Sequence, residues 1–279
     1  MHDVVPLGPI QTWPVEPEAV DLSVVIPAFN EQRRIGPSIE AVRGYLSTAG
    51  QSLPLRARAG GSGLSWEVIV VDDGSTDGTA AVVQATVELD PRVRLLRLER
   101  NGGKGHAVRA GVLASRGTDV LISDADLSTP ISEVEKLWAV DPHAVAVIGS
   151  RALPGSRIEV QQSPVRRWLG HLGNRYIRAL AVPGIRDTQC GFKLLRGRAA
   201  RSLVAQTRLN GWGIDVELLH LCARFSWPIV EVPVRWRHCP GSKLRPGAYL
   251  RVLAEVVYVR IVHRHAWRSD PWKSAWSPS

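Results

Sequence analysis

The chain has 279 residues, 44% of them apolar, enough for a sizeable core in one large domain or two small ones. Its three cysteines, Cys190, Cys222 and Cys239, form no paired framework and lack CxxC spacing, which argues against disulfides and structural zinc and for a reducing compartment. The net charge of +9 is divided: residues 1–150 hold 13 Lys and Arg against 19 Asp and Glu, net −6, and residues 151–279 hold 22 against 7, net +15. An acidic half suits a cation and a base-reading carboxylate. A basic half suits a phosphate-bearing partner or an anionic membrane surface, or is simply a solvated face.

Residues 1–20 hold Asp3, Glu16, Glu18 and several prolines, without the basic start and apolar core of a secretory signal, and read as a loose tail. Residues 22–26 read as a buried strand, followed by Pro27-Ala28-Phe29-Asn30-Glu31 and a helix toward Tyr45. A Gly-, Ser- and Arg-rich insertion at 47–65 precedes a second strand at 67–71. That strand ends in Asp72-Asp73-Gly74-Ser75-Thr76-Asp77-Gly78 and a helix capped by Ser75, Thr76 or Asp77. A third strand at 92–98, a helix at 105–115 and a fourth strand at 119–123 follow, the last running into Asp124-Ala125-Asp126.

Beyond it come a strand at 144–150, an amphipathic helix at 165–181, helices at 198–206 and 214–225, a strand at 229–235 and a last helix at 248–263. Arg251, Glu255 and Arg260 interrupt that helix, so nothing approaches the roughly 20 uncharged residues of a membrane span. The expected organisation is one domain over 21–265, between a tail at 1–20 and another at 266–279.

Alternating strands and helices mark an α/β protein with a mainly parallel, doubly wound sheet flanked by helices. Ligands of such sheets bind beyond the carboxyl ends of the strands, where Asn30, Glu31, Asp72, Asp73, Asp124 and Asp126 all fall. On an extended segment Asp124 and Asp126 share a face and can reach one hard cation completed by phosphate oxygens. The Asp73 loop imitates half a calcium loop, but Gln84 stands where the closing Glu belongs. A carboxylate there can instead accept the imide N–H of a uracil. Asn101-Gly102-Gly103-Lys104-Gly105 invites a phosphate, yet neither Walker nor GxGxxG spacing is present.

The ordered set VIPAFNE at 25–31, VVDDGSTDGT at 70–79, NGGKGHAVRAG at 101–111, DADLSTP at 124–130 and DTQCGFK at 187–193, with Gly241-Ser242-Lys243-Leu244, resembles the family 2 inverting glycosyltransferases. The resemblance spans residues 21–250 and is greatest to the polyprenyl-phosphate branch. It implies a GT-A fold, a Rossmann-like nucleotide-diphospho-sugar transferase, with a nucleotide-sugar donor and Mg²⁺ or Mn²⁺. By matched position, Pro27, Ala28, Asn30 and Glu31 with Asp72 or Asp73 would hold base and ribose, and Lys104 and Gly105 would lie near the nucleotide. Asp124 would contact ribose or diphosphate and, with Asp126, the metal. Arg151, the stretch from Asp187 to Lys193, and Ser242 with Lys243 would surround the phosphates and the acceptor.

The implied reaction moves a hexose, glucose first, from a UDP-sugar to a polyprenyl (dolichyl-type) phosphate, catalysed through Asp124, Asp126, Arg151 and Asp187. A GDP-mannose donor or a soluble acceptor is the alternative. Leu127-Ser128-Thr129 departs from the family's DADGAT form and leaves the sugar open. Residues 151–201 hold 11 Lys and Arg against Glu159 and Asp187, a charge suited to an ionised lipid phosphate. A hydroxyl acceptor would need a general base, for which Asp215 or Glu217 is the candidate.

The family's N-terminal anchor and C-terminal helical pair are not found in this sequence, so the expected setting is cytoplasmic and peripheral, at the inner face of the cell membrane. The helix at 165–181 could lie in that interface or face the core. A sequence pI near 10.1 raises nucleic acid as a partner, but the acidic first half and the five ordered motifs argue against it. A sensor without turnover would require the loss of Asp126 or the acceptor loop, and both are present.

Overall fold

Strands made of Val, Ile and Leu with both faces buried need helices on two sides, and the chain supplies them. In the structure, a computed structural model, residues 20–49, 63–140, 143–160, 173–239 and 246–264 are described. Ser242, Lys243 and residues 161–172 lie outside the described residues.

The first half alternates β1 (Val20–Ala28), α1 (Ile35–Ala49), β2 (Trp66–Asp72), α2 (Thr79–Leu89), β3 (Val93–Arg97), α3 (Lys104–Leu113) and β4 (Gly117–Ile122). A single 3₁₀ turn (Ile131–Glu133) leads to α4 (Val134–Trp138), β5 (Ala146–Ser150) and β6 (Arg157–Val160). Then come α5 (173–180), β7 (Lys193–Arg196), α6 (Gly197–Gln206), α7 (Ile214–Arg224), β8 (Ile229–Pro233), β9 (Arg235–Arg237) and α8 (Pro246–Val262).

Seven strands form one sheet in the order β3-β2-β1-β4-β7-β5-β8. Alternate residues of β1 face opposite sides. Leu22, Val24 and Ile26 meet Ile35, Ile39 and Val83 of α1 and α2, while Val25 joins Val108 of α3, Leu203 of α6 and Leu218 of α7. A third cluster joins Ile177 of α5 to Val216 of α7 and Val252 and Val256 of α8.

Two short strands escaped the sequence reading. β7 is four residues bounded by charges, and it runs antiparallel to both β4 and β5. β6 pairs with β9 in a separate two-stranded sheet, so the single strand expected at 229–235 is two, one in each sheet. In the described part of the 165–181 helix, Ile177 faces the core, buried against α7 and α8, while Tyr176 stays exposed.

The reversal of β7 has a functional consequence. The carboxyl ends of β1, β2 and β4 lie together, with Ala28 opposite Asp72 and Val25 opposite Ile122. Because β7 runs the other way, its first residue, Lys193, pairs with Ile122 and with Ile148 of β5. The stretch 187–193 and the end of β5 at Ser150 therefore meet the Asp124 turn at one sheet edge.

Candidate active site

The loops after β1 and β2 are zipped together. Asn30, at φ 52°, accepts the Thr76 N–H on Oδ1 at 2.8 Å and donates its own N–H to Ser75 Oγ at 2.9 Å. The Glu31 N–H reaches Thr79 Oγ1 at 2.7 Å, and its carboxylate holds Arg34 at 2.6 and 2.8 Å. Asp77 accepts the Thr79 N–H at 2.9 Å, while Gly78 occupies the cap position of α2 without a side-chain bond.

The two adjacent aspartates have different work. Asp72 is fully buried, with Oδ1 on the Ser75 N–H and Oδ2 without a hydrogen bond, 3.6 Å from Arg97 Nε. Asp73 accepts the N–H groups of Gly102 and Gly103 at 3.0 and 2.7 Å. Both oxygens thus fasten the glycine turn.

That turn is no phosphate cradle either. The Gly105 N–H donates to the Asn210 and Gly211 carbonyls at 2.8 and 3.1 Å, so this N–H at the start of α3 is already paired within the protein. Glycine is required because a Cβ on Gly103, at φ 97°, would sit 2.4 Å from the Asn210 oxygen. What the turn presents is Lys104.

Asp124 and Asp126 do not extend from β4. A bond from the Leu127 N–H to the Asp124 carbonyl at 3.1 Å closes a turn, Leu127 adopts φ 45°, and Ser38 Oγ clasps the Ala125 carbonyl at 2.7 Å. The carboxylates consequently have different neighbours. Asp124 lies 2.9 Å from Lys104 Nζ and against Gly191, where any Cβ would collide with it. Asp126 accepts the Ser128 N–H at 2.9 Å and faces Arg34 at 3.9 Å.

A chain of charge runs inward from the partly exposed Asp124. Lys104 Nζ is 2.9 Å from both Asp124 and Asp215, and Asp215 is 2.6 Å from Lys193, which also donates to the Cys190 carbonyl. Burial works against the Lys104 charge, but Asp124 and Asp215 overcome it and hold the ammonium above its usual range. Burial likewise pushes Asp215 up, and the two lysines outweigh it, leaving that carboxyl below its usual range.

Across Asp124 stands a second pair. Arg151 grips Asp187 through its N–H, Nε and a terminal nitrogen at 2.8, 2.7 and 2.8 Å, and its guanidinium lies 5.4 Å from the Trp236 ring. Burial, the largest influence on each, is outweighed by the pairing, so Arg151 stays charged and Asp187 stays ionised. Glu231 of β8 fixes the loop by accepting the N–H groups of Arg186 and Asp187 at 2.7 and 2.9 Å. Sequence reading missed Glu231 and Trp236, which carry no motif. Of the two candidate bases only Asp215 is in the cleft; Glu217 binds the Arg208 and Leu209 N–H groups and His263.

Among the described residues no group of three or more acidic, His or Cys side chains could hold a metal alone. Asp124 and Asp126 fit as a partial shell, since Mg²⁺ is usually bound by one or two carboxylates plus phosphate oxygens and water. Bonds from the Arg237 N–H to the Ser128 carbonyl and from Cys239 Sγ to the Asp126 carbonyl tie the 237–239 stretch to this turn.

Residues 23–204 match the family described as glycosyl transferase family 2. The dolichyl-phosphate beta-glucosyltransferase of Mus musculus is 37% identical over 268 residues, 91% of this chain and 79% of that protein. The protein of the same name in Saccharomyces cerevisiae is 31% identical over 266 residues, 88% of this chain and 76% of that one. Among solved structures, glucosyl-3-phosphoglycerate synthase from Mycobacterium tuberculosis has a TM-score of 0.62 at 19% identity, covering 90% of this chain and 82% of that one. The same synthase with Mn²⁺, uridine-diphosphate-glucose and phosphoglyceric acid scores 0.59 at 18% identity, with 87% and 79% covered. These structures speak to the fold alone.

Proposed function

We propose that this chain, which belongs to glycosyl transferase family 2 and has the GT-A fold, moves glucose from UDP-glucose to a polyprenyl phosphate of the dolichyl type with inversion at the anomeric carbon. The reading carries over the activity in the names of relatives that match about nine-tenths of the chain. The observation in the site that favours a phosphate acceptor is Asp215. Held ionised between Lys104 and Lys193, it has little affinity for a proton, and a hydroxyl acceptor would need a base there. A lipid monophosphate is already ionised near neutral pH.

In this reading a phosphate oxygen of the lipid attacks C1 from the face opposite the nucleotide. The C1–O bond to the diphosphate breaks, and UDP departs with the electron pair, so no proton has to move. Lys104 places positive charge on the donor side of Asp124, while Arg151, braced by Asp187, faces the incoming phosphate. Pro27, Ala28, Asn30, Glu31 and Asp72 border the nucleoside, and their zipped loops keep that wall rigid. Asp124 and Asp126 would hold Mg²⁺ or Mn²⁺, which supplies Lewis-acid stabilisation of the leaving diphosphate. The setting that suits such an acceptor is the cytoplasmic membrane surface.

The deciding experiment incubates the protein and Mn²⁺ with detergent-solubilised polyprenyl phosphate and labelled UDP-glucose, with GDP-mannose as the rival donor. A lipid-extractable glucosyl product is expected. Transfer only from GDP-mannose, or only to water-soluble acceptors, would overturn the reading.

A further inference from the structure

Helix α8 is apolar on two opposite sides. Val252, Val256 and Val259 line the inner one and are buried. At about 100° per residue the outer side falls to Ala254, Val257, Tyr258 and Ile261, spaced i, i+3, i+4, i+7. Val257 is 41% exposed, Tyr258 44%, Ile261 57% and the adjoining Val262 40%. A helix whose outer side met only water would carry polar residues there, and a contiguous apolar strip rimmed by charge marks an interaction surface.

The rim is basic on both flanks, with Arg251 on one and Arg260 and Arg264 on the other, all exposed. Arg260 donates to the Leu180 carbonyl at 2.7 Å, so the strip adjoins α5, which exposes Arg175 and Tyr176. Residues 173–186 and 246–264 together hold six arginines and one acid, Glu255. Glu255 is turned to the cleft side, where it accepts the Gly213 N–H at 2.9 Å. Gly213 follows Trp212, whose ring lies 5.6 Å from Lys104 Nζ. Strip and cleft mouth are thus joined through one turn of one helix.

We infer that this face of α8, with the end of α5, lies on an anionic lipid bilayer, its apolar strip in the head-group boundary and its arginines on lipid phosphates. Such a strip is the pattern of a helix lying in the interface plane, and each basic residue near an anionic surface adds attraction. A second copy of the chain fits less well, because pairing two such strips would set arginine rim against arginine rim. The choice of a bilayer rests on the lipid-phosphate reading above, since a bound surface would bring the acceptor's head group to the cleft.

The test is co-sedimentation of the full chain with vesicles of phosphatidylcholine, with and without added phosphatidylglycerol. Binding is expected only with the anionic lipid, falling as salt rises. Val257→Ser/Ile261→Ser should abolish it, and each of Arg251→Gln and Arg264→Gln should weaken it roughly fivefold. All these side chains are solvent-facing, so melting temperature and turnover on detergent-solubilised acceptor should stay at wild-type values. The inference falls if wild type ignores anionic vesicles, if the serine variant binds like wild type, or if the strip proves to hold a dimer that the serine variant splits. Vesicle binding without lipid-linked product would leave the surface standing and remove the acceptor reading.

Discussion

Lys104 Nζ lies 2.9 Å from Asp215 Oδ2, tying the glycine turn after β3 to the first turn of α7 across 111 residues of sequence. Behind it Lys193 is fully buried and depends on the same carboxylate. Asp215→Asn should therefore cost about 3–5 kcal/mol in chemical denaturation, because it strands a buried ammonium. Lys193→Met combined with Asp215→Asn should cost less than the two single changes added together. If Asp215 were instead a general base, the Asn variant would lose turnover at nearly wild-type stability.

Asp126→Ala should separate catalysis from folding in the opposite sense. Its carboxylate is partly exposed and binds one backbone N–H, so stability should fall by about 1 kcal/mol. Turnover should drop about 100-fold or more, and the Mn²⁺-dependent part of the thermal shift given by UDP should disappear. A variant that kept that shift would show the cation bound elsewhere.

Two glycines provide a matched pair. Gly103→Ala forces a side chain into a left-handed conformation and against the Asn210 carbonyl, so a loss of at least about 1–3 kcal/mol is expected. Gly44 lies inside α1 with open space where a Cβ would go, and Gly44→Ala should stabilise by up to about 1 kcal/mol. Thermal melts of the two variants should move in opposite directions.

Acid should weaken the fold before ordinary carboxylates titrate. His220 is buried, donates its Nδ1–H to the Ala181 carbonyl, and leaves Nε2 without a hydrogen bond; burial above all holds its pKa below the usual value. A depressed histidine binds its proton more readily when unfolded. Stability is thus complete above about pH 6.5 and falls as pH drops from there toward the folded value. Urea unfolding at pH 7.5 and 5.5 should show this drop in wild type and a smaller one in His220→Gln.

Thiol reactivity offers a readout at the site without turnover. Burial raises the Cys190 thiol and pushes Cys222 up to about 12, so neither should react in the native protein. Cys239 is only half-buried and points its sulfur at the Asp126 carbonyl. One thiol per chain should react with DTNB when folded and three when unfolded, and UDP with Mn²⁺ should slow the first.

The nucleotide side of the cleft was largely legible along the chain. Strand periodicity and the turn residues behind each strand are local signals, and they led to Asn30, Asp72 and Asp124 at one edge. The same local signals misjudged what those groups touch. Asp73 also fastens Gly102 and Gly103, an attachment its spacing did not show; Asp124 and Asp126 looked like one extended face and belong to a closed turn. Each difference is a hydrogen bond to a backbone group that spacing alone does not assign.

The order and character of the longer elements were thus written in the chain, because side-chain periodicity and turn chemistry act over a few residues. Folding alone settled the direction of β7, the choice of Asp215 over Glu217, and the meeting of Lys104 and Arg151 beside Asp124 with Lys193 behind on Asp215. The reason is that a buried charge takes its partner from whatever the packed sheet brings within about 3 Å, and that depends on strand register and direction rather than on neighbours in sequence.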